Sequence, residues 1–95
     1  QDVEPVLVSH EKVFDAALIG IPDDRMGEIA VAIIEPKPGV TLTEEEMVKF
    51  CEEKIPRYRR PKKLIFDQVP RDGVGKIQKP ELRKKHGGIK EAFKA

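Results

Sequence analysis

The chain has few of the residues that most enzymes use for covalent or redox chemistry: one cysteine, two histidines, one tyrosine and no tryptophan among 95 residues. With Cys51 alone, no internal disulfide can form, and nothing in the composition indicates an oxidising compartment. His10, His86 and Cys51 stand far apart and lack the spacing of metal ligands, so we predict no metal site. Only 5% of the residues are aromatic, which leaves few rings to stack on nucleobases.

Long apolar runs are also absent. The longest, residues 14–21 and 29–34, fall well short of the roughly 20 residues that cross a bilayer, and the first residues given do not show the basic, apolar and small-residue order typical of a leader peptide. We therefore predict no transmembrane segment and a cytoplasmic location. The chain begins at Gln1 rather than at a methionine, which favours a segment of a longer protein.

Charge is unevenly distributed along the chain, although the net charge is only +1. Residues 1–53 hold 4 Lys/Arg against 13 Asp/Glu, and residues 54–95 hold 14 against 4. A basic surface raises the local concentration of anionic ligands, so this asymmetry indicates a partner that carries phosphate. Mutual neutralisation of the two halves on folding is an equally good explanation.

Hydrophobic periodicity and turn residues predict an α+β domain. Thr43 and Glu46 have the Thr-x-x-Glu spacing of a capping box, which predicts a helix from Thr43 to Lys54 with Cys51 on its buried face. The other predicted elements are a helix over 2–10, two antiparallel strands over 13–21 and 28–36 joined by an exposed loop over 22–27, a strand over 64–66, and a helix over 79–85 that Gly87 and Gly88 end.

The predicted fold class is thus a small, about three-stranded, mainly antiparallel sheet flanked by helices. Residues 1–86 form one domain in this prediction, and residues 87–95 form a C-terminal tail.

A glycine-containing loop over residues 70–77 presents one lysine, Lys76. Gly73, Gly75 and the Asp-Gly pair predict a tight turn, because glycine takes positive φ without steric penalty. A phosphate-binding P-loop is excluded, since it needs four residues between its glycines and Ser or Thr after the lysine, where this chain has Ile77. From the loop alone, an ordinary solvated side chain is the better explanation of Lys76.

Many short pieces, in order and at matching spacings over about residues 2–85, resemble the C-terminal domain of the AMP-forming acyl-CoA synthetases, in the adenylate-forming superfamily. The pieces are Val3-Glu4, Val6-Leu7, His10, Val13, Asp15-Ala16-Ala17, Gly20, Pro22-Asp23, Gly27-Glu28, Leu42-Thr43-Glu44-Glu45-Glu46, Phe50-Cys51, Tyr58-Arg59-Arg60-Pro61-Lys62, Val69-Pro70-Arg71, Gly75-Lys76-Ile77 and Leu82-Arg83.

The resemblance implies a mobile lid on a larger N-terminal adenylation domain of the same polypeptide. In such enzymes the carboxylate of a small-molecule acid attacks the α-phosphate of ATP, giving acyl-adenylate and pyrophosphate. The lid then rotates, and a thiol, often that of coenzyme A, takes the acyl group. The resemblance implies that Lys76 is the adenylation lysine and that Gly75 lets the loop approach ATP closely. It also implies that the Mg²⁺ accompanying ATP belongs to the other domain, and that the pathway is of the fatty acid metabolism type.

The resemblance further implies that Tyr58, Arg59 and Arg60 lie near bound CoA, although a solvated basic linker explains them equally well. The family commonly has Thr or Ser where this chain has Asp72 and Val74, so we expect the adenylation geometry to be tuned differently here or to be weaker. A nucleic-acid-binding module and a non-catalytic interaction domain stay as alternatives. The lid assignment implies no nucleic-acid partner, and the isolated domain is expected to be inactive.

Overall fold

The computed structural model of the chain describes residues 3–25 and 27–94, with side chains through residue 86. Asp2 in the predicted first helix and Met26 in the predicted loop lie outside these residues. The elements in chain order are α1 (Val3–Val8), β1 (Val13–Asp23), β2 (Gly27–Pro36), α2 (Glu44–Lys54), a short 3-10 turn (Arg57–Arg59), β3 (Lys63–Phe66) and α3 (Lys79–Lys94).

The three strands form one mixed sheet in the order β1-β2-β3. β1 and β2 pair antiparallel from Val13 opposite Pro36 to Asp23 opposite Gly27. β3 pairs parallel with β2, from Val31 opposite Lys63 to Ile34 opposite Phe66, because α2 returns the chain to the end at which β2 began. The predicted α+β class with a mainly antiparallel sheet is confirmed, and the parallel pairing is confined to the short third strand.

The connection between β1 and β2 is shorter than the sequence predicts. Pro22 and Asp23 still belong to β1, and Asp23 pairs with Gly27, so the predicted loop over 22–27 is wrong in extent. A proline fits here because β1 lies at the edge of the sheet, where a missing N–H breaks no interior ladder. Only residues 24–26 connect the strands.

Helices cover the two faces of the sheet, and the alternation of side chains along β2 divides the core in two. Val31, Ala32, Ile33 and Ile34 are all fully buried, as expected for a strand covered on both faces. One cluster packs α1 and α2 on the sheet through Val3, Leu7, Val13, Ala16, Ala32, Ile34, Leu42, Met47, Cys51 and Ile55. The other contains Leu82 of α3 with Ala17, Ile19, Ile21, Val31, Ile33 and Val69.

The capping box of α2 is confirmed. The Thr43 hydroxyl accepts a hydrogen bond from the Glu46 N–H at 3.1 Å, and the Glu46 carboxylate accepts one from the Thr43 N–H at 2.9 Å. Cys51 on the inner face of this helix is 4% exposed, and burial raises the pKa of its thiol. Cys51 is therefore a core residue, as predicted, and is not a candidate nucleophile.

The predicted end of the last helix is wrong. α3 continues through Gly87 and Gly88 to Lys94. A glycine costs about 1 kcal/mol relative to alanine in a helix interior, but it keeps its backbone N–H and so does not break the hydrogen-bond ladder as proline does. The division between residues 1–86 and a tail over 87–95 stays a prediction.

Candidate functional site

The loop over residues 70–77 is a narrow, closed turn that follows β3. Arg71 and Ile77 form an antiparallel bridge at its base. Inside this bridge the Asp72 N–H donates to the Lys76 carbonyl at 3.0 Å, and the Gly75 N–H donates to the Asp72 carbonyl at 3.0 Å. Gly75 has φ +88°, which a residue with a side chain rarely adopts, so the predicted need for glycine is confirmed at this position.

The carboxylate of Asp72 organises the interior of this turn. Its Oδ1 accepts hydrogen bonds from the backbone N–H of Val74 at 3.0 Å and of Lys76 at 2.9 Å. Its Oδ2 accepts one from the side-chain amide of Gln78 at 3.1 Å. These donors, with the Lys76 N–H foremost, lower the pKa of Asp72 below its ordinary value. Asp72 is therefore ionised at neutral pH and holds both sides of the turn.

Arg71 ties the same turn to β1. Its guanidinium donates to both carboxylate oxygens of Asp15, with Nε–Oδ2 at 2.6 Å and the second nitrogen to Oδ1 at 2.8 Å, and also donates to the Gly75 carbonyl. Asp15 is only 8% exposed and also accepts from the Ala16 N–H at 2.9 Å. The hydrogen bond from Arg71 is the main reason that the pKa of Asp15 is lowered. A bidentate pair of this kind fixes orientation as well as distance.

Because the pKa of Asp15 is lowered in the folded chain, its contribution to stability is present above the ordinary Asp pKa and is lost as pH falls through the lower, folded value. We expect the free energy of unfolding to decline below about pH 4. Asp15→Asn should cost about 1–2 kcal/mol at pH 7, since Arg71 is partly exposed, and should flatten this decline. Urea unfolding at pH 7, 4 and 3 measures both; an unchanged acid slope in the variant would contradict the assignment.

The segment that leads from β3 into the loop is held from two sides. The N–H of the buried Val69 donates to the Glu35 carboxylate of β2 at 2.9 Å. Asp67 pairs with Lys85 at 2.8 Å and with His86 at 3.0 Å, both on α3. The segment before the loop is thus anchored to β2 through Val69. The same segment is anchored through Asp67 to α3, the helix that follows the loop.

Lys76 itself is exposed on this anchored loop. Among the residues that the structure describes, none forms a hydrogen bond or ion pair with its ammonium group. Val74 at the tip of the turn is 89% exposed, which is unusual for a branched apolar side chain. The loop therefore exposes the Lys76 ammonium and the Val74 side chain to solvent, while hydrogen bonds with Arg71 and Asp72 hold its backbone.

The three residues predicted to lie near CoA follow α2. Tyr58 is 85% exposed in the short 3-10 turn, and Arg59 beside it is also exposed. Arg60 instead donates to the Ile55 carbonyl at 2.8 Å and the Glu52 carbonyl at 2.9 Å, at the end of α2. Arg60 thus satisfies carbonyls that a helix C-terminus leaves unpaired. It also lines a surface groove of about 530 Å³ between α2 and β3.

The structure does not bring these residues together with Lys76. The chain joins the sheet at Lys62, whose N–H donates to the Ala30 carbonyl, and leaves it at Asp67, whose N–H donates to the Ile34 carbonyl. Ala30 and Ile34 are four positions apart along β2, which corresponds to roughly 13 Å of strand. The basic connector and the lysine loop therefore lie at opposite ends of β3.

Sequence reasoning does not reveal the contacts that Asp15 and Asp72 make in the site. Asp15 lies 56 positions from Arg71, and no local pattern marks the pair. Asp72 carries a local signal, because an Asp that precedes glycine often accepts hydrogen bonds from the backbone two residues later. Within the described part of the chain, no group of three or more His, Cys, Asp or Glu residues could hold a metal ion. No helix described is long and apolar enough to cross a membrane.

Comparison with known proteins bears directly on this geometry. A family model described as the AMP-binding enzyme C-terminal domain matches residues 2–76. The chain is 42% identical over 83 residues to a (7a-methyl-1,5-dioxo-octahydro-1H-inden-4-yl)propanoyl:CoA ligase of Rhodococcus jostii, which covers 86% of this chain and 16% of the relative. It is 38% identical over 94 residues to a 2-methylpropanoate–CoA ligase of Humulus lupulus, which covers 96% of this chain and 17% of the relative.

Among solved structures, a fatty acyl CoA synthetase of Mycobacterium tuberculosis superposes with a TM-score of 0.82 at 36% identity, over 92% of this chain and 17% of that one. The chain thus spans about a sixth of the length of the relatives that it matches. The resemblance drawn from the sequence is confirmed, and the chain belongs to the family of AMP-binding enzyme C-terminal domains.

Proposed function

We propose that the chain is the mobile lid of an AMP-forming acid:CoA ligase and that it acts with an N-terminal adenylation domain of the same polypeptide. The observation that carries this proposal is the exposed Lys76, whose ammonium has no partner in the described part of the chain, on a loop anchored to the sheet by Arg71 and Asp15. A cation on a fixed backbone suits an anionic substrate, because the charge is already in position when the substrate binds.

In the first half-reaction, an oxygen of the acid's carboxylate attacks the α-phosphorus of ATP, and pyrophosphate leaves. The Lys76 ammonium bridges oxygens of the carboxylate and of the phosphate, and so stabilises negative charge in a site closed to water. Gly75 keeps side-chain bulk away from the approaching substrates. Mg²⁺ that accompanies ATP would be held by the other domain.

In the second half-reaction, the lid rotates and the thiol of CoA takes the acyl group, with release of AMP. Tyr58, Arg59 and Arg60 are the candidate CoA contacts, since guanidinium groups suit phosphate oxygens. Arg60 already donates to two carbonyls, so its role would be to shape the connector more than to bind phosphate. The connector lies at the opposite end of β3 from Lys76. This position supports a lid that turns the Lys76 loop toward the active site in the first half-reaction and the connector toward it in the second.

The same proposal includes a small-molecule carboxylic acid as substrate, a role in fatty acid metabolism and a cytoplasmic location. The named relatives act on quite different acids, so the acid is not inferred from them. A nucleic-acid role has less support, because base-stacking sheets need an exposed face with aromatic rings. Here the central strand is buried on both faces.

The test uses the chain joined to its natural upstream sequence. Acid-dependent exchange of pyrophosphate into ATP is measured with a panel of short, long-chain, hydroxy and aromatic acids, followed by CoA-dependent release of AMP. We expect exchange with at least one acid, and loss of exchange when the 95 residues are deleted. Exchange that does not depend on these residues, or tight salt-sensitive binding of mixed RNA in place of exchange, would overturn the proposal.

A further inference from the structure

We propose that Asp72 is a positioning residue for Lys76: through its carboxylate it fixes the backbone from which the lysine projects. This inference rests on the proposed function of the chain. The family resemblance implies Thr or Ser at this position, whereas this chain has a carboxylate that accepts three hydrogen bonds at the turn.

The geometry of the turn joins Asp72 to Lys76. One oxygen of Asp72 receives the N–H of Val74 at 3.0 Å and that of Lys76 at 2.9 Å, so it bridges the tip and the far side of the turn. The backbone of Asp72 also bonds twice across the turn, to the Lys76 carbonyl and from the Gly75 N–H. Lys76 is therefore held to Asp72 through both its N–H and its carbonyl.

The Asp72 carboxylate restricts the conformational freedom that the two glycines give to the turn. Gly73 and Gly75 give the turn more conformational freedom than any other residue type would, and neither glycine has a side chain to pack. A Cβ placed at either position would meet no atom within 4 Å, so the surroundings of the turn do not confine it. Confinement comes from hydrogen bonds, and three of these converge on the Asp72 side chain.

A fixed backbone at Lys76 matters for its chemistry. A lysine side chain is long and flexible, so the position of its ammonium depends on a fixed Cα as well as on its rotamers. A displacement of about 1 Å at a catalytic group can cost roughly 100-fold in rate. Gln78 extends the arrangement, because its amide donates to the second oxygen of Asp72 just before α3 begins. The loop and the following helix are thereby linked through one carboxylate.

The test compares Asp72→Ala with Asp72→Asn in the full-length enzyme, with Glu53→Ala as a control that removes an exposed carboxylate elsewhere. We expect Asp72→Ala to lower kcat for acyl-adenylate formation by about 10–100-fold. Thioester formation from supplied acyl-adenylate should change by less than about twofold, because Lys76 acts in the first half-reaction only. Asp72→Asn should restore most of the lost rate, since the amide oxygen can accept both backbone N–H groups.

The outcomes distinguish failure of the positioning role from failure of the proposed function. Full activity of Asp72→Ala, equal loss of both half-reactions, or an Asp72→Asn variant as slow as Asp72→Ala would overturn the positioning role while leaving the proposed function intact. An unsubstituted enzyme without any adenylation activity would overturn the proposed function, and the positioning role with it.

A second measurement examines the contact without any assay of activity. In nitrogen-15-labelled 95-residue chain, the amide protons of Val74 and Lys76 should shift together on acidification, at a pH below the ordinary Asp pKa, because the Asp72 carboxylate is their acceptor. Asp72→Ala should abolish this shared titration, and Glu53→Ala should not. Amide resonances that titrate alike in the unsubstituted chain and in Asp72→Ala would overturn the inference.

Discussion

Replacing Lys76 by alanine in the full-length enzyme is expected to lower the rate of acyl-adenylate formation by about 10²–10³-fold, as for removal of other groups that stabilise developing charge. The ammonium is exposed, and no described residue pairs with it, so its removal leaves no buried group unsatisfied. We therefore expect the stability of the domain to be unchanged. Single-turnover formation of acyl-adenylate, with thioester formation from supplied acyl-adenylate measured in parallel, separates the two half-reactions.

The matched control is Lys84→Ala, which removes an exposed lysine from α3. It changes net charge by the same amount and should leave both half-reactions within about twofold of the unsubstituted enzyme. Lys76→Arg keeps the charge but replaces a compact ammonium by a planar group, so we expect only partial recovery. Equal loss of both half-reactions in Lys76→Ala would contradict the assignment of the adenylation lysine.

The fold could be predicted largely from local signals. The capping residues of α2 act within four positions of each other, and the apolar runs of β1 and β2 reflect burial that any sheet core requires. The extent of β1 could not be predicted in this way, because Pro22 argues against a strand unless that strand is known to lie at an edge. Edge position is a property of the assembled sheet.

The continuation of α3 through Gly87 and Gly88 could not be predicted, for a related reason. Glycine is both a poor helix former and a frequent helix end, and the sequence does not tell which role applies. A Schellman-type end requires a glycine in the left-handed region. The glycines for which the structure has positive φ, among the residues it describes, are Gly27, Gly39 and Gly75.

For the candidate site, the sequence indicates Lys76, the group proposed to meet substrate, better than it indicates the groups that hold it. Lys76 follows from its glycine loop and from the resemblance. The bidentate pair of Arg71 and Asp15 joins β1 to a loop 56 residues later, and only the folded sheet brings these two residues together. The sequence marks Asp72 as a departure from the family pattern, and its hydrogen bonds show how the loop is held without a hydroxyl. The roles of Tyr58, Arg59 and Gly75 toward CoA or ATP stay predictions.

α3 follows the loop directly and packs on the sheet through Leu82. We therefore expect a large effect on stability when Leu82 is replaced. Leu82 is 2% exposed and packs with Ile19, Ile33 and Val69, while the other side chains of α3 described through residue 86 are not fully buried. Leu82→Ala removes this contact and leaves a cavity, so we expect a loss of about 2–5 kcal/mol in the free energy of unfolding. A domain of this size typically has only about 5–15 kcal/mol in total.

Thermal and urea unfolding of the 95-residue chain measure this loss, and Tm should fall by at least about 8 °C. Leu82→Met, which keeps most of the volume, should cost less than about 1.5 kcal/mol. Val74→Ala, which shortens an exposed apolar side chain on the neighbouring loop, should cost almost nothing. If Leu82→Ala were as stable as Val74→Ala, α3 would not be held to the sheet through this residue. The loop that carries Lys76 would then not be held in place through Leu82 of the helix that follows it.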